Sequence, residues 1–376
     1  MSPDELSLQK TLEGHTAAIT VVEFSPDGKF LASAGDDGAV LIFSTSSWTP
    51  MHRFVDVSPV SVLAWHQNRR YLLFCGHQSG DLHLLTMTKS MQKFTIVQTS
   101  TFTGCIRSLS LSPASSRVAI AHGHEIALVD VISNPHRLKD NRAYLPKPPA
   151  SPLGANKSGG PVAKSLQFMK KKNYLVVTYA AHGIVIWDPH TLTVAGEISP
   201  RTFPIGRSII ATDDDIMAVS NLINGVDWYS LSDLMFLSTT KLPAGSVCYP
   251  LSTLTYSEDG TSIILGSAEG SAYILSRDKG VKILEHGVGS GIIRSVAFTP
   301  TVGGQALIAT GTGELNGRAA VTIWTYMPEK KSKRGISFVG IQRVVPVGLT
   351  LTQILINGAL LFLCCAWVGH FLTKAA

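Results

Sequence analysis

The stretch from Gly14 to Ser44 constrains the fold more than any other part of this chain of 376 residues. It reads GHTAAITVVEFSPDGKFLASAGDDGAVLIFS. Two segments, Ser25–Gly28 and Asp36–Gly38, have hairpin-turn sequences, because Pro presets φ and Gly accepts positive φ. Short apolar runs flank both turns, as expected for strands. The sequence therefore predicts a β-meander, and such a unit buries its faces only when similar units follow it.

Further copies do follow, although they are more degenerate. Their predicted β-rich endings recur mostly at intervals close to the roughly 40 to 45 residues of a propeller blade. Including the first copy, these endings are at Phe43, Leu85, Val129, Trp187, Trp228, Leu275 and Trp324. Before the first copy, Leu6–Leu12 alternates apolar and polar residues, which predicts a strand that completes the last blade.

The Gly14-His15 pair, the two turns and the Ile186-Trp187-Asp188 ending resemble the WD-repeat (WD40) family. The resemblance implies an all-β fold, a seven-bladed β-propeller over residues 1–327. It also implies a buried hydrogen-bond chain that maps to His15, Ser33 and Asp37, with Phe43 in place of the usual Trp. Trp187 and Asp188 form the one intact ending. We interpret these positions as structural, because buried polar groups require partners.

The segment 133–164 differs from its surroundings in being rich in Pro, together with Lys, Arg, Ser and Gly. Such a composition buries little apolar surface, so we predict a solvated insertion loop between the third and fourth blades. Two alternatives remain open for this segment. Lys147–Pro152 could be a polyproline II ligand, and Ser151 could be phosphorylated.

The segment 344–373 contains no Asp, Glu, Lys or Arg. As a helix it would be about 45 Å long, whereas a hydrocarbon core is roughly 30 Å thick. The sequence therefore predicts one C-terminal transmembrane helix, preceded by a basic stalk at 328–343. The basic residues before the span are Lys330, Lys331, Lys333, Arg334 and Arg343.

This charge bias predicts a propeller in the cytosol. Because no signal peptide is recognisable and few residues follow the span, we predict a tail-anchored protein, with the endoplasmic reticulum favoured over the mitochondrial outer membrane. Within the span, Gln353 and Asn357 share a helix face and could pair with another helix or a second copy, or could simply be tolerated near the interface. Cys364 and Cys365 could be acylated or packed.

No catalytic or metal-ligating constellation stands out, so we predict no enzyme activity, cofactor or metal. His122–Glu125 and Asp213–Asp215 are interpreted as turns between strands. The formal charge of +6 arises largely in the stalk and the insertion, without interleaved aromatic residues, so nucleic acid is not predicted as a partner.

The predicted function is that of a membrane-tethered scaffold that binds protein partners through propeller loops. The alternative is a guanine-nucleotide exchange factor for a small GTPase in vesicle budding from the endoplasmic reticulum to the Golgi. A known exchange-factor family has a similar layout of propeller and C-terminal span. The catalytic loop of that family extends from its first blade, however, whereas the first copy here is compact.

Overall fold

The structure is a computed structural model that describes residues 7–326, apart from short gaps. These gaps are at 69–70, 89–92, 134–135, 151–159, 212, 244–245, 247–253, 257–261, 278–279, 286–290, 302–304 and 314–318. All described residues belong to the first of two compact units, Met1–Glu329.

Within the described residues, the strands form seven four-stranded antiparallel sheets. The chain begins with β1 (Ser7–His15), and the first sheet contains β2 (Ile19–Phe24), β3 (Phe30–Gly35), β4 (Ala39–Ser44) and β5 (Pro50–Val55). The second contains β6 (Val60–Trp65), β7 (Leu72–His77), β8 (Asp81–Thr88) and β9 (Lys93–Thr101). The third contains β10 (Ile106–Leu111), β11 (Arg117–His122), β12 (Glu125–Ser133) and β13 (His136–Tyr144).

The remaining sheets repeat the same order of strands. The fourth contains β14 (Ala163–Phe168), β15 (Leu175–Tyr179), β16 (Gly183–Asp188) and β17 (Thr193–Ile198). The fifth contains β18 (Ser208–Ile210), β19 (Ile216–Ser220), β20 (Gly225–Ser230) and β21 (Met235–Lys241). The sixth contains β22 (Leu254–Tyr256), β23 (Ser262–Gly266), β24 (Ser271–Ser276) and β25 (Gly280–Glu285). The seventh contains β26 (Ile293–Pro300), β27 (Ala306–Thr312) and β28 (Ala319–Tyr326), together with β1.

Each predicted copy ending lies in the third strand of a sheet, from Phe43 in β4 to Trp324 in β28. The turns between strands have the predicted chemistry. Gly28 and Gly38 adopt φ of 68° and 69°. A Cβ atom at Gly38 would lie 2.0 Å from the backbone oxygen of Asp56, so only glycine fits there.

The sheets form a closed ring through their first strands, which we call the inner strands. β2 contacts β6, and contacts continue in chain order from sheet to sheet until β26 meets β2 again. Apolar clusters fill the space between neighbouring sheets; one of them joins Ile42 of the first sheet to Trp65 of the second. This ring confirms the predicted all-β propeller.

The ring is completed by β1, which pairs antiparallel with β28 on the outer side of the seventh sheet. Leu12 of β1 is buried against Val321 and Ile323. The predicted closing strand is therefore confirmed, although it extends to His15 rather than ending at Leu12.

The interpretation of 133–164 as one loop is wrong in part. Residues 136–144 form β13, the outermost strand of the third sheet, and the inner strand β14 already begins at Ala163. An outer strand exposes most of its side chains, so its charged composition is compatible with pairing to β12. Among the described side chains of β13, only Leu138 is well buried. Ser151 lies outside the described residues.

The described part of the chain contains no helix that is both long and apolar enough to cross a bilayer. The predicted stalk and the predicted span at 344–373 lie outside the described residues, and so do the basic residues before the span and Gln353, Asn357, Cys364 and Cys365.

Candidate functional site

The structure brings the side chains of His15, Ser33 and Asp37 together in the first sheet. Nε2 of His15 lies 2.8 Å from Oγ of Ser33, and Nδ1 lies 3.1 Å from Oδ2 of Asp37. The Asp37 carboxylate also accepts hydrogen bonds from the backbone N–H groups of Thr16 and Ala39. Burial by itself would raise the pKa of Asp37, but these hydrogen bonds and His15 lower it overall. The network fixes the connection between β1 and β2 to a turn of the first sheet.

Trp187 and Asp188 lie apart from this network. Trp187 is buried between the third and fourth sheets. The Asp188 carboxylate accepts hydrogen bonds from the backbone N–H groups of His190 and Thr191 at the start of a turn. Phe43 is buried in the apolar cluster between the first and seventh sheets. These residues contribute packing and turn geometry.

A second polar group, which the sequence did not suggest, joins the first and second sheets. Asp56, His77 and His83 each place a possible metal-ligand atom within 4.8 Å of the others. Nε2 of His83 lies 2.9 Å from Asp56, and its Nδ1 lies 2.8 Å from Oγ1 of Thr99. Burial lowers the pKa of His77, which favours its neutral form. Both nitrogens of His83 thus have hydrogen-bond partners, whereas Nε2 of His77 is buried without one among the described residues.

Among the described residues, basic side chains from four sheets converge at the central channel. They are Arg107, Lys164, Arg207 and Arg294, which we call the basic ring. They line one cavity of about 180 Å³ together with Thr20 and Ser61. Each occupies the corresponding place in its sheet, at or just before the start of the inner strand.

β-bulges place these side chains in the channel. The register of the inner strand shifts at Arg107, Lys164 and Arg294, and it shifts in the same way at Thr20 and Ser61. A bulge redirects one side chain out of the regular alternation of a strand. The same local distortion therefore presents one side chain from each of five sheets to the same cavity, whereas Arg207 lies just before β18.

The serine that follows each basic residue ties neighbouring inner strands together. Oγ of Ser108 accepts a hydrogen bond of 3.0 Å from the N–H of Leu166, and Oγ of Ser165 accepts one of 3.0 Å from the N–H of Ser208. Oγ of Ser295 accepts a 2.8 Å bond from the N–H of Val22. These buried bonds fix the relative height of adjacent strands, and thus the height of the basic residues beside them.

The charges of the basic ring are only partly compensated. Burial lowers the pKa of Lys164, and the neighbouring charges of Arg207 and Arg107 lower it further. Burial lowers the pKa of Arg207 to about 10. Arg294 forms an ion pair of 2.6 Å with Asp36, but its Nε is buried without a hydrogen-bond partner among the described residues.

A larger cavity of about 640 Å³ lies along the same channel and is lined by inner-strand residues. The carboxyl group of Glu23 is part of the lining of this cavity. Burial raises the pKa of Glu23 to about 8, although a hydrogen bond from the Trp65 N–H acts in the opposite direction. Glu23 is therefore largely protonated at neutral pH.

A signal for the basic ring was present in the sequence. A basic residue, a serine and an aliphatic residue follow one another at the start of four inner strands: Arg107-Ser108-Leu109, Lys164-Ser165-Leu166, Arg207-Ser208-Ile209 and Arg294-Ser295-Val296. Aligning the copies on their inner strands, rather than on their turns and endings, would have shown the repetition.

Comparison with known proteins agrees with the description of the first sheet. Residues 6–44 match the family model described as WD domain, G-beta repeat. This part of the chain is similar to a WD repeat. The matched segment contains β1, the whole His15, Ser33 and Asp37 network, and most of the first sheet.

Curated relatives match over short segments. The chain is 39% identical over 70 residues to the target of rapamycin complex subunit wat1 of Schizosaccharomyces pombe, covering 19% of this chain and 22% of that protein. It is 35% identical over 88 residues to small ribosomal subunit protein RACK1 of Brassica napus, covering 23% of this chain and 27% of that protein. The chain therefore spans only about a quarter of the length of these relatives.

A solved structure shows the same fold over a much greater length. The crystal structure of the Cps50 (Swd1) β-propeller domain of Myceliophteria thermophila is similar with a TM-score of 0.68 and 16% sequence identity. The match covers 85% of this chain and 99% of that chain. At this identity the likeness supports the propeller fold alone.

Proposed function

We propose that this protein is a membrane-tethered scaffold whose propeller lies in the cytosol and binds protein partners through the loops of one face. The proposal rests on the closed propeller and its match to a WD repeat. The polar network of His15, Ser33 and Asp37 in that repeat stabilises the fold. The polar groups of that network are occupied internally, which leaves the loops for recognition.

Strand directions define the face to which the proposal refers. In an antiparallel sheet, the inner strand begins at the edge where the second strand ends. The connections between sheets and the turns between second and third strands therefore lie on one face, which we call the channel face. Val57, between β5 and β6, and Ile223, between β19 and β20, are exposed on this face. The basic ring opens toward it.

Two further observations support the proposal. The matched relatives include proteins named as a subunit of a complex and as a ribosomal subunit protein, and both names describe components of larger assemblies. The uncharged segment 344–373 with its basic flank supports the membrane tether and its orientation. We do not adopt the exchange-factor alternative, because β2 to β5 follow one another through short connections.

Proximity labelling of the full-length protein in cells tests the scaffold function. We expect Val57→Asp combined with Ile223→Asp to remove a defined set of labelled partners, because charges on the channel face oppose apolar contacts. The matched control is Met235→Asp, which places a charge on an exposed apolar residue of the outer strand β21. Identical partner sets for wild type and the channel-face variant, with all three proteins equally abundant, would contradict the proposal.

A further inference from the structure

We propose that the basic ring is a binding site for a phosphate-bearing ligand at the mouth of the central channel. Four cationic side chains converge there from four different sheets, and none of the described residues that line the cavity is acidic. The inference goes beyond the proposed scaffold function and does not depend on it, because the site is formed by the propeller alone.

The positive charges of the basic ring are incompletely balanced. Like charges in a partly buried site repel one another more strongly than they would in water. Asp36 compensates Arg294 in part. Among the residues that the structure describes, the guanidinium groups of Arg107 and Arg207 reach only backbone carbonyl oxygens, at 3.4 Å each. An anion placed among these groups would relieve the repulsion and would supply a partner for the buried Nε of Arg294.

A structural role does not explain Arg107 and Lys164, whereas Arg294 also joins the seventh sheet to the first through its ion pair with Asp36. At the corresponding bulges, the hydroxyls of Thr20 and Ser61 donate hydrogen bonds to carbonyl oxygens of the next inner strand, at Val60 and Ile106. A short hydroxyl is therefore sufficient to join the strands at this position. Arg107 and Lys164 occupy it without making that bond, so their side chains are available for a ligand. Arg294 is paired with Asp36, but its Nε has no hydrogen-bond partner among the described residues.

The groups that line the cavity define the chemistry of the ligand. Guanidinium groups bind phosphate through paired N–H donors, and an ammonium group adds a point charge. The cavity of about 180 Å³ accommodates a compact group rather than a nucleic-acid strand. Two sources carry the same group: a small phosphorylated molecule, or a phosphorylated side chain of a partner peptide.

Isothermal titration calorimetry with the full-length protein in detergent tests the site, with inorganic pyrophosphate and a phosphoserine pentapeptide as separate probes. We expect saturable binding of at least one probe, weakened by rising salt. Lys164→Gln should weaken binding at least tenfold, and Lys164→Arg should restore most of it. The matched control is Lys172→Gln, an exposed lysine outside the ring, and it should change binding less than twofold.

Thermal unfolding of the unliganded variants separates binding from folding. Lys164→Gln should unfold at the same temperature as wild type or higher, because it removes a repelled charge. Tighter binding of pyrophosphate would identify a small molecule as the source, and tighter binding of the pentapeptide would identify a protein-borne phosphate; either result supports the site. The proposal is overturned if neither probe binds saturably, or if Lys172→Gln weakens binding as much as Lys164→Gln.

Discussion

At the scale of single residues, the ionisable groups of this propeller fall into two kinds. Asp37 and His83 have several hydrogen-bond partners, and each stabilises a connection between strands. Glu23 and Lys164 lie in the channel. Burial raises the pKa of Glu23 and lowers that of Lys164, so that the neutral form of each is favoured. The first kind stabilises the fold, whereas the second kind reduces its stability when charged.

The pKa of Glu23 leads to a prediction about stability and pH. Because burial raises that pKa to about 8 from the model-peptide value of 4.5, the folded state holds this proton more tightly than the unfolded state. The resulting contribution of Glu23 to the free energy of unfolding is fully present below pH 4.5 and is lost as the pH rises through 8. The free energy of unfolding of Glu23→Gln should therefore match that of wild type near pH 5 and exceed it at pH 8.

We expect the gain at pH 8 to be about 1 to 3 kcal/mol, after a discount for the partial exposure of the side chain. Urea denaturation of both proteins at the two pH values measures it. Glu13→Gln, at an exposed position on β1, is the control and should show no such pH-dependent gain. A constant difference between wild type and Glu23→Gln across this pH range would show that Glu23 does not titrate as described.

At the scale of secondary-structure elements, β1 determines whether the ring is closed. It is separated from β28 by most of the chain, yet it supplies the outermost strand of that sheet. Its side chains are mostly exposed, and Leu12 is the one that is buried among those described. The energetic contribution of β1 therefore consists of its backbone hydrogen bonds and this single apolar anchor.

Deletion of residues 1–12 should lower the free energy of unfolding by at least about 3 kcal/mol, because it removes most of a strand ladder together with a buried leucine. Thermal unfolding and urea denaturation measure the change. Deletion of residues 1–5 is the control and should leave the melting temperature unchanged.

Point substitutions refine the same prediction. Leu12→Ala should lower the free energy of unfolding by about 2 to 4 kcal/mol. Leu8→Ala, at an exposed position on the same strand, should lower it by less than about 0.5 kcal/mol. Equal effects of the two substitutions would show that burial of Leu12 does not anchor the strand.

Turns, outer strands and the basic ring differ in how well a single sequence predicts them. The turns at Ser25–Gly28 and Asp36–Gly38 were predictable, because turn formation depends on a few adjacent residues. β13 was missed because an outer strand is largely solvated and its composition resembles that of a loop. The basic ring was missed for another reason. Its members are far apart in sequence, and only the common register of the inner strands brings them together.

At the scale of the whole molecule, the proposed tether at 344–373 leads to a separate prediction. The full-length protein should stay in the membrane pellet after extraction with alkaline carbonate, because an uncharged span of this length inserts favourably. A variant lacking residues 344–376 should move to the supernatant. Release of the full-length protein without detergent would contradict the tether.

The orientation of the tether can be checked in the same cells. Asn156-Lys157-Ser158 is a sequon for N-glycosylation, which occurs only in the lumen. With a cytosolic propeller we expect no change in mobility on treatment with an endoglycosidase. A shift that is lost in Asn156→Gln would show that the orientation is reversed.

The position of β28 has a mechanical consequence. It lies between β27 and β1 and is hydrogen-bonded along both edges, with Tyr326 at its C-terminal end. A tension applied to the chain after Tyr326 would act along β28, so that two ladders would have to shear at once rather than open one bond after another. Proteolytic loss of the first dozen residues would remove one of these ladders and make the propeller far weaker under load.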